Sequence, residues 1–229
     1  MLDLIHGPES TIFEISWRKG IFPERIYDKN TRTLEARRQT AFYNAALIGS
    51  PELLEALLDH GAEINAEGGY LGTALTAAAY HGSRQSVQLL LARGADPTIN
   101  AGHQGTALHA AAAGGGWLDI MEMLITHGAD VNATGGIHGT VLSAAVETKL
   151  EAEASIRFLL EAGANPHLGD LWPTLPYAAA AGNSASIELL LEYGVDPNEH
   201  EGAALYYAVT YGHAEIARML LAKGATSRT

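Results

Sequence analysis

From Thr40 onward the apolar positions of the chain fall into two alternating phrases. The first is alanine-rich and anchored by one large residue: "TAFYNAALIG" from Thr40, "GTALTAAAYHG" from Gly72, "GTALHAAAAGG" from Gly105, "GTVLSAAV" from Gly139, "PTLPYAAAAG" from Pro173 and "AALYYAVTYG" from Ala203. The second is leucine-rich and closes on glycine: "LLDHGAEIN", "LLARGADPTIN", "LITHGADVN", "LLEAGANPH", "LLEYGVDPN" and "LLAKGATS". Runs such as "SVQLLLARG" put their apolar residues on one helical face, so each second phrase predicts an amphipathic helix. The closing glycines are Gly61, Gly94, Gly128, Gly163, Gly194 and Gly224, spaced 33, 34, 35, 31 and 30 residues apart. A self-similar period near 33 predicts a solenoid of stacked supersecondary units.

Each position in the repeat has a physical task. Thr73, Thr106 and Thr140 precede the alanine-rich runs and are suited to accept hydrogen bonds from free helix amides. Leu75, Leu108, Leu142, Leu175 and Leu205 supply a buried anchor, and the alanines let neighbouring helices approach closely. Gly49, Gly82, Gly115, Gly182 and Gly212 are expected to end the first helices in a left-handed conformation. Asp96, Asp130 and Asp196, with Asn65, Asn132 and Asn198, read as turn residues whose side chains bond the local backbone. The predicted unit is helix, turn, helix and hairpin.

These phrases resemble the ankyrin repeat. The T-P-L-H-x-A signature is matched through Thr106, Leu108, His109 and Ala111, and G-A-D-V-N stands at 128 to 132. The resemblance covers roughly residues 39 to 229. The wording "GGYLGTAL", with alanine after threonine, is similar to ankyrin arrays of fungal type. The resemblance implies an all-α solenoid of about six helix-turn-helix units with short β-hairpin fingers, at approximately 39–66, 67–99, 100–133, 134–168, 169–199 and 200–229. Departures from the period fall between these elements: one extra residue near Gly116, two within "AAVETKLEAEASIRFLL", and shorter hairpins after Gly163 and Gly194. They predict an irregular binding face in the second half, because stacked helices cannot absorb insertions.

Residues 1–38 match no repeat. Ile12, Phe13, Ile15, Trp17, Ile21, Phe22, Ile26 and Tyr27 give this segment more apolar surface than a disordered tail carries. It is expected either to cap the first unit or to reach over the groove as an arm. The initial methionine and an end soon after the sixth unit predict a free-standing protein rather than a piece of a longer signalling scaffold.

Charge and composition then narrow the function. Residues 1–38 hold seven bases against six acids, whereas the remainder holds seven against 20. So acidic a body repels phosphate backbones, which argues against nucleic acid as ligand. No apolar run approaches the ~18 to 20 residues of a membrane helix, and "MLDLIHGPES" has no basic region before an apolar stretch. The expected compartment is cytosol or nucleus, with no membrane partner. The absence of cysteine fits a reducing compartment and removes thiolate chemistry.

Ten histidines raise the question of a metal or catalytic site. His109 occupies the signature histidine, which the resemblance assigns to structural hydrogen bonding between units. His213 starts a second helix. His60 and His127 precede a helix-ending glycine, where a cation suits the dipole. No pair has metal-ligand spacing with a nearby carboxylate, and neither a phosphate loop nor a nucleophile elbow is present, so neither metal nor cofactor is expected.

The resemblance implies a concave groove lined by hairpin tips and by the open side of the first helices. Those offsets hold Tyr70, Tyr80, His81, His103, Ile137, His138, Glu147, Trp172, Tyr206 and Tyr211. Amphipathic rings give large contact area at low entropic cost and dominate hot spots, so this set predicts a surface for a partner protein. In a second reading the N-terminal arm closes the groove over a small molecule. His81, His103 and His138, with Tyr70, Tyr80 and Glu147, would then perform acid–base work.

Overall fold

The computed structural model describes residues 34–148, 151–169 and 173–226, and for residues 34–40 it describes only the helical backbone. The N-terminal segment up to residue 33, to which a cap or an arm is ascribed above, lies outside the described residues. Six helix pairs follow one another. They are α1 (Leu34–Leu47) and α2 (Pro51–Asp59), α3 (Ala74–Tyr80) and α4 (Arg84–Ala92), and α5 (Ala107–Gly115) and α6 (Leu118–Thr126). After these come α7 (Val141–Val146) and α8 (Ala152–Glu161), α9 (Thr174–Ala181) and α10 (Ser184–Glu192), and α11 (Glu199–Thr210) and α12 (Ala214–Ala222). Each first helix packs on the first helices of the flanking units and each second helix on the second helices, so the array is two helical layers thick. It is an all-α solenoid.

Residue size explains why the layers differ. Ala74 to Ala79 in α3, Ala107 to Ala112 in α5 and Val141 to Val146 in α7 are buried without a break. A short helix can bury its whole circumference only where small side chains let neighbours come close. The anchors Leu75, Leu108, Leu142, Leu175 and Leu205 are all in this core. The second helices bury one stripe, such as Val87, Leu90 and Leu91 in α4 or Ile156, Leu159 and Leu160 in α8, at the spacing of one helical face.

The ends of the helices carry the predicted chemistry. Thr73, Thr106 and Thr140 accept from the backbone N–H of Thr76, His109 and Ser143, three residues on. One glycine assignment needs correcting. Gly115 is the last residue of α5, and the left-handed residue is Gly116, at φ 64° and ψ 40°. This first helix runs to nine residues, against seven for α3, and the extra residue of the third unit moves its left-handed stop one place on.

The turn residues divide their work differently from the expectation. The aspartates do bond locally: Asp96 accepts from Thr98 N–H, Asp130 from Asn132 N–H and Asp196 from Asn198 N–H, each at 2.8 Å. The asparagines reach the next unit. Asn65 accepts from Asp96 N–H at 2.9 Å, Asn132 accepts from Asn165 N–H at 2.7 Å and donates to the Gly163 carbonyl, and Asn198 accepts from Thr226 N–H and donates to the Gly224 carbonyl. A planar amide has both a donor and an acceptor, which a carboxylate lacks, and so can bridge two backbones.

Fingers form in the second, third and fourth units. Two have single bridges, Gly68 to Gly72 and Ala101 to Gly105, and the third pairs β1 (Thr134–Gly135) with β2 (Gly139–Thr140). The fingers are tied together, since His103 N–H donates to the Tyr70 carbonyl at 2.9 Å and Ile137 N–H to the His103 carbonyl at 3.0 Å. Glycine is needed at this approach: a Cβ on Gly136 would lie 2.2 Å from the Gln104 carbonyl oxygen. In the last unit a left-handed turn at His200, Glu201 and Gly202 leads into the regular part of α11. The backbone is irregular there, in the unit that follows the shortened hairpin after Gly194.

Candidate functional site

The predicted residues fall into groups along the array. At the finger tips Tyr70 and His103 stack with ring centroids 4.5 Å apart and planes inclined by 32°. Tyr70 is 64% exposed, and Ile137, on the next finger, is also exposed. The rigid support for Tyr70 comes from the first unit, where the Tyr43 hydroxyl accepts from Leu71 N–H at 3.0 Å. At the end of α3 Tyr80 meets His81 edge to face at 5.3 Å, and the Tyr80 carbonyl accepts from Trp117 Nε1.

The second group joins the fourth and fifth units. His138 is 5% exposed and Glu147, which caps α7, is exposed. Tyr177 on α9 stands between them: its hydroxyl donates to Glu147 Oε1 and lies 3.5 Å from His138 Nδ1. The His138 and Tyr177 rings meet edge to face at 6.3 Å. Burial lowers the His138 pKa, the Glu147 charge opposes that shift, and His103 adds to it. Burial and the bond to Glu147 raise the Tyr177 pKa. At neutral pH His138 is therefore an uncharged ring and Tyr177 a hydrogen-bond donor.

The third group lies in the last unit. Tyr206 is 65% exposed, and Tyr211 and Val209 are similarly open to solvent. Tyr207 links the two other tyrosines, 5.4 Å from Tyr206 and stacked 6.2 Å from Tyr211. Tyr206 is thus far from the partial burial that a short preceding loop would suggest. Trp172 lies outside the described residues. Of the six residues in the acid–base reading, His138 and Glu147 share Tyr177 as neighbour, while Tyr70 pairs with His103 and Tyr80 with His81.

Tyr177 and Tyr207 escaped sequence reasoning, although the repeat marks them. Both stand two residues after the anchor leucine, where the preceding units carry Ala77, Ala110 and Ala144. A tyrosine at an alanine position cannot fit between closely stacked helices, so it must project from the layer.

The histidines at repeat positions bond locally or to the adjoining unit, and the hydrogen bond of His109 to Thr106 lies within its own unit rather than between units. His109 is fully buried, with Nδ1 2.9 Å from Thr106 Oγ1. His60 and His127 donate from Nδ1 to the carbonyls of Ala56 and Met123 at 2.7 Å. His213 Nε2 lies 3.2 Å from the Ala180 carbonyl of the preceding unit. Among the described residues no cluster of three or more histidine or acidic side chains is arranged to hold a metal ion, and no helix is long and apolar enough to cross a membrane.

The comparisons agree with this architecture. The chain belongs to the ankyrin repeat family: the model for ankyrin repeats (3 copies) matches residues 18–101 and 142–228, and the model for a single ankyrin repeat matches residues 103–136. Such repeats are generally modules of protein interaction. The crystal structure of the human ASB11 ankyrin repeat domain is similar to this chain, with a TM-score of 0.70 and 22% identity, covering 82% of this chain and 85% of that one. At that identity the likeness concerns the fold alone. No curated protein matches the chain in sequence.

Proposed function

We propose that the protein is a non-catalytic binding module that holds a partner protein in its concave groove and on its finger tips, in the cytosol or nucleus. The observation that carries this reading is the exposure of Tyr70, Ile137, Tyr206, Val209 and Tyr211. These side chains lie outside the buried core, and exposed aromatic side chains are the common anchors of protein interfaces. The absence of cysteine supports a reducing compartment. The test is affinity capture from extract of the cells that make the protein, with wild type and the Tyr70→Ala/Tyr206→Ala double variant side by side. A stoichiometric protein retained by the wild type and lost from the variant supports the reading. Retention of the same proteins by both, or of none by the wild type, overturns it.

One observation favours the second reading, a small-molecule site with acid–base residues: His138, Tyr177 and Glu147 converge across a unit boundary. Three titratable groups so close can bind and exchange a proton with a ligand. Comparing metabolites with and without the gene tests it. A metabolite that changes on gene loss, and again with Glu147→Gln alone, would favour it over protein binding.

A further inference from the structure

Three exposed side chains of the last unit stand at places that the second to fifth units bury. Counted from the anchor leucine, Val209 matches Ala79, Ala112, Val146 and Ala179, none more than 2% exposed, yet Val209 is 65% exposed. Tyr206, one residue past its leucine, matches Thr76, His109, Ser143 and Pro176, all buried. Leu221, three residues before Gly224, matches the buried Leu91 and Leu160 and the half-buried Ile125 and Leu191, but is itself 54% exposed. In the earlier units the cover comes from the unit that follows: Ser143 Oγ lies 3.2 Å from Thr174 Oγ1 of the fifth unit. The glycines after the first helices agree. A Cβ on Gly49, Gly82 or Gly182 would strike Ser83, Trp117 or His213, each of which opens the second helix of the next unit. On Gly212 it would meet no described atom within 4 Å.

This end face is apolar where a terminal unit ordinarily turns polar side chains to water. A bare stacking face of that kind marks an interface. Charge indicates what covers it. Residues 39–199 carry 18 acids against four bases, whereas residues 200–229 carry two acids, Glu201 and Glu215, against three bases, Arg218, Lys223 and Arg228. Two copies that meet through the rest of the array bring net negative surfaces together, and through their last units they meet without that repulsion. On α12 the exposed Glu215, Arg218 and Leu221 follow one another at three-residue steps and so neighbour each other along the helix. Both signs of charge thus stand beside the apolar patch, and a two-fold contact can match acid to base across its axis.

We propose that the end face of the last unit, built on Tyr206, Val209 and Leu221, is where a second copy of this chain docks, end to end about a two-fold axis. The inference goes beyond the partner reading. It leaves Tyr70 and Ile137 on the fingers to the partner, while Tyr206, in contact with Tyr207, borders both surfaces. A two-fold contact uses the face of both copies at once, so assembly stops at the dimer.

Sedimentation velocity of the full chain at rising concentration tests this. The wild type should pass from monomer to dimer with no larger species. Val209→Glu and Leu221→Glu should each weaken dimerisation about tenfold or more, because each buries a charge in an apolar contact. Both side chains face solvent in the single chain, so circular dichroism should show the helices unchanged. Ile137→Glu, on a finger, should leave dimerisation as it is. Because the chain lacks cysteine, a spin label can be set at Thr210→Cys, beside Val209, or at Glu67→Cys, beside the first finger. Dipolar coupling between copies is expected from Thr210 and not from Glu67. A wild type that stays monomeric at every concentration overturns the proposal, and is the result if residues 1–33 or a different protein cover the face. A dimer that survives both Val209→Glu and Leu221→Glu, or coupling from Glu67 alone, overturns it as well. Partner capture is scored separately: a monomeric wild type that still holds a partner removes only this inference, and a dimer that captures none removes only the partner reading.

Discussion

The Tyr177 hydroxyl donates to Glu147 across the boundary between the fourth and fifth units, which ties α9 to the C-terminal cap of the preceding first helix. Burial first, and the bond to Glu147 second, hold the phenol in its protonated form above the ordinary value of 10.0. The ultraviolet titration of wild type minus that of Tyr177→Phe should therefore show a phenol that ionises later than a free tyrosine. In Glu147→Gln the shift should shrink without vanishing, because burial remains. A difference curve centred on the ordinary value would contradict the contact.

Buried histidines predict an acid-sensitive fold. Burial first, and the nearby His138 second, lower the His109 pKa to about 4 from the ordinary 6.5. Between those values the unfolded chain binds a proton that the folded chain refuses, so stability present above pH 6.5 is lost as pH falls towards 4. The loss from this one group is about 3 kcal/mol by pH 4. His138 is shifted in the same direction. Thermal melts of wild type and His109→Asn should converge as pH drops from 7.5 to 4.5, whereas parallel slopes would mean that His109 titrates normally.

The asparagine bridges predict a ranking that composition alone does not give. Asn132→Ala removes one bond accepted from Asn165 N–H and one donated to the Gly163 carbonyl, both in the next unit. Its expected cost is about 1–2 kcal/mol in urea unfolding. Asp130→Ala removes a bond within its own turn and should cost less. The reverse order would show that the local turn, not the inter-unit bridge, holds the array together.

The anchor leucines set the larger scale. Leu108 is completely buried in the first-helix layer, and Leu108→Ala should cost ~2 to 5 kcal/mol, the usual range for emptying such a site. An effect below ~0.5 kcal/mol would mean that the repeat register is wrong.

What the sequence reveals follows from the period. Leu75, Leu108, Leu142 and the capping threonines are legible because each recurs at one offset, and a recurrent offset in a stacked array means a recurrent packing task. Features that break the period are harder to see. Gly116 takes the left-handed stop because one inserted residue shifts it beyond Gly115. The bridging role of Asn132 depends on a backbone 33 residues away, which local turn chemistry does not disclose. In the site, Tyr70 and His103 are placed at the finger tips by their offset alone. Their stacking, and the meeting of His138 with Glu147 through Tyr177, depend on how one unit rotates against the next. Tyr177 could have been singled out as the residue that replaces a ladder alanine.

In the proposed reading a partner protein sits on the finger tips and the groove rather than on the outer helices. The most direct measurement is the dissociation constant of the captured partner for wild type, Tyr70→Ala, Tyr206→Ala and Tyr193→Ala. Tyr193 is an exposed tyrosine that ends α10, in the outer layer. Tyr70→Ala and Tyr206→Ala should each weaken binding by ~1 to 3 kcal/mol, roughly five- to 150-fold, as truncated hot spots do. Tyr193→Ala should leave it unchanged. Loss of affinity in Tyr193→Ala with both groove variants intact would contradict the account.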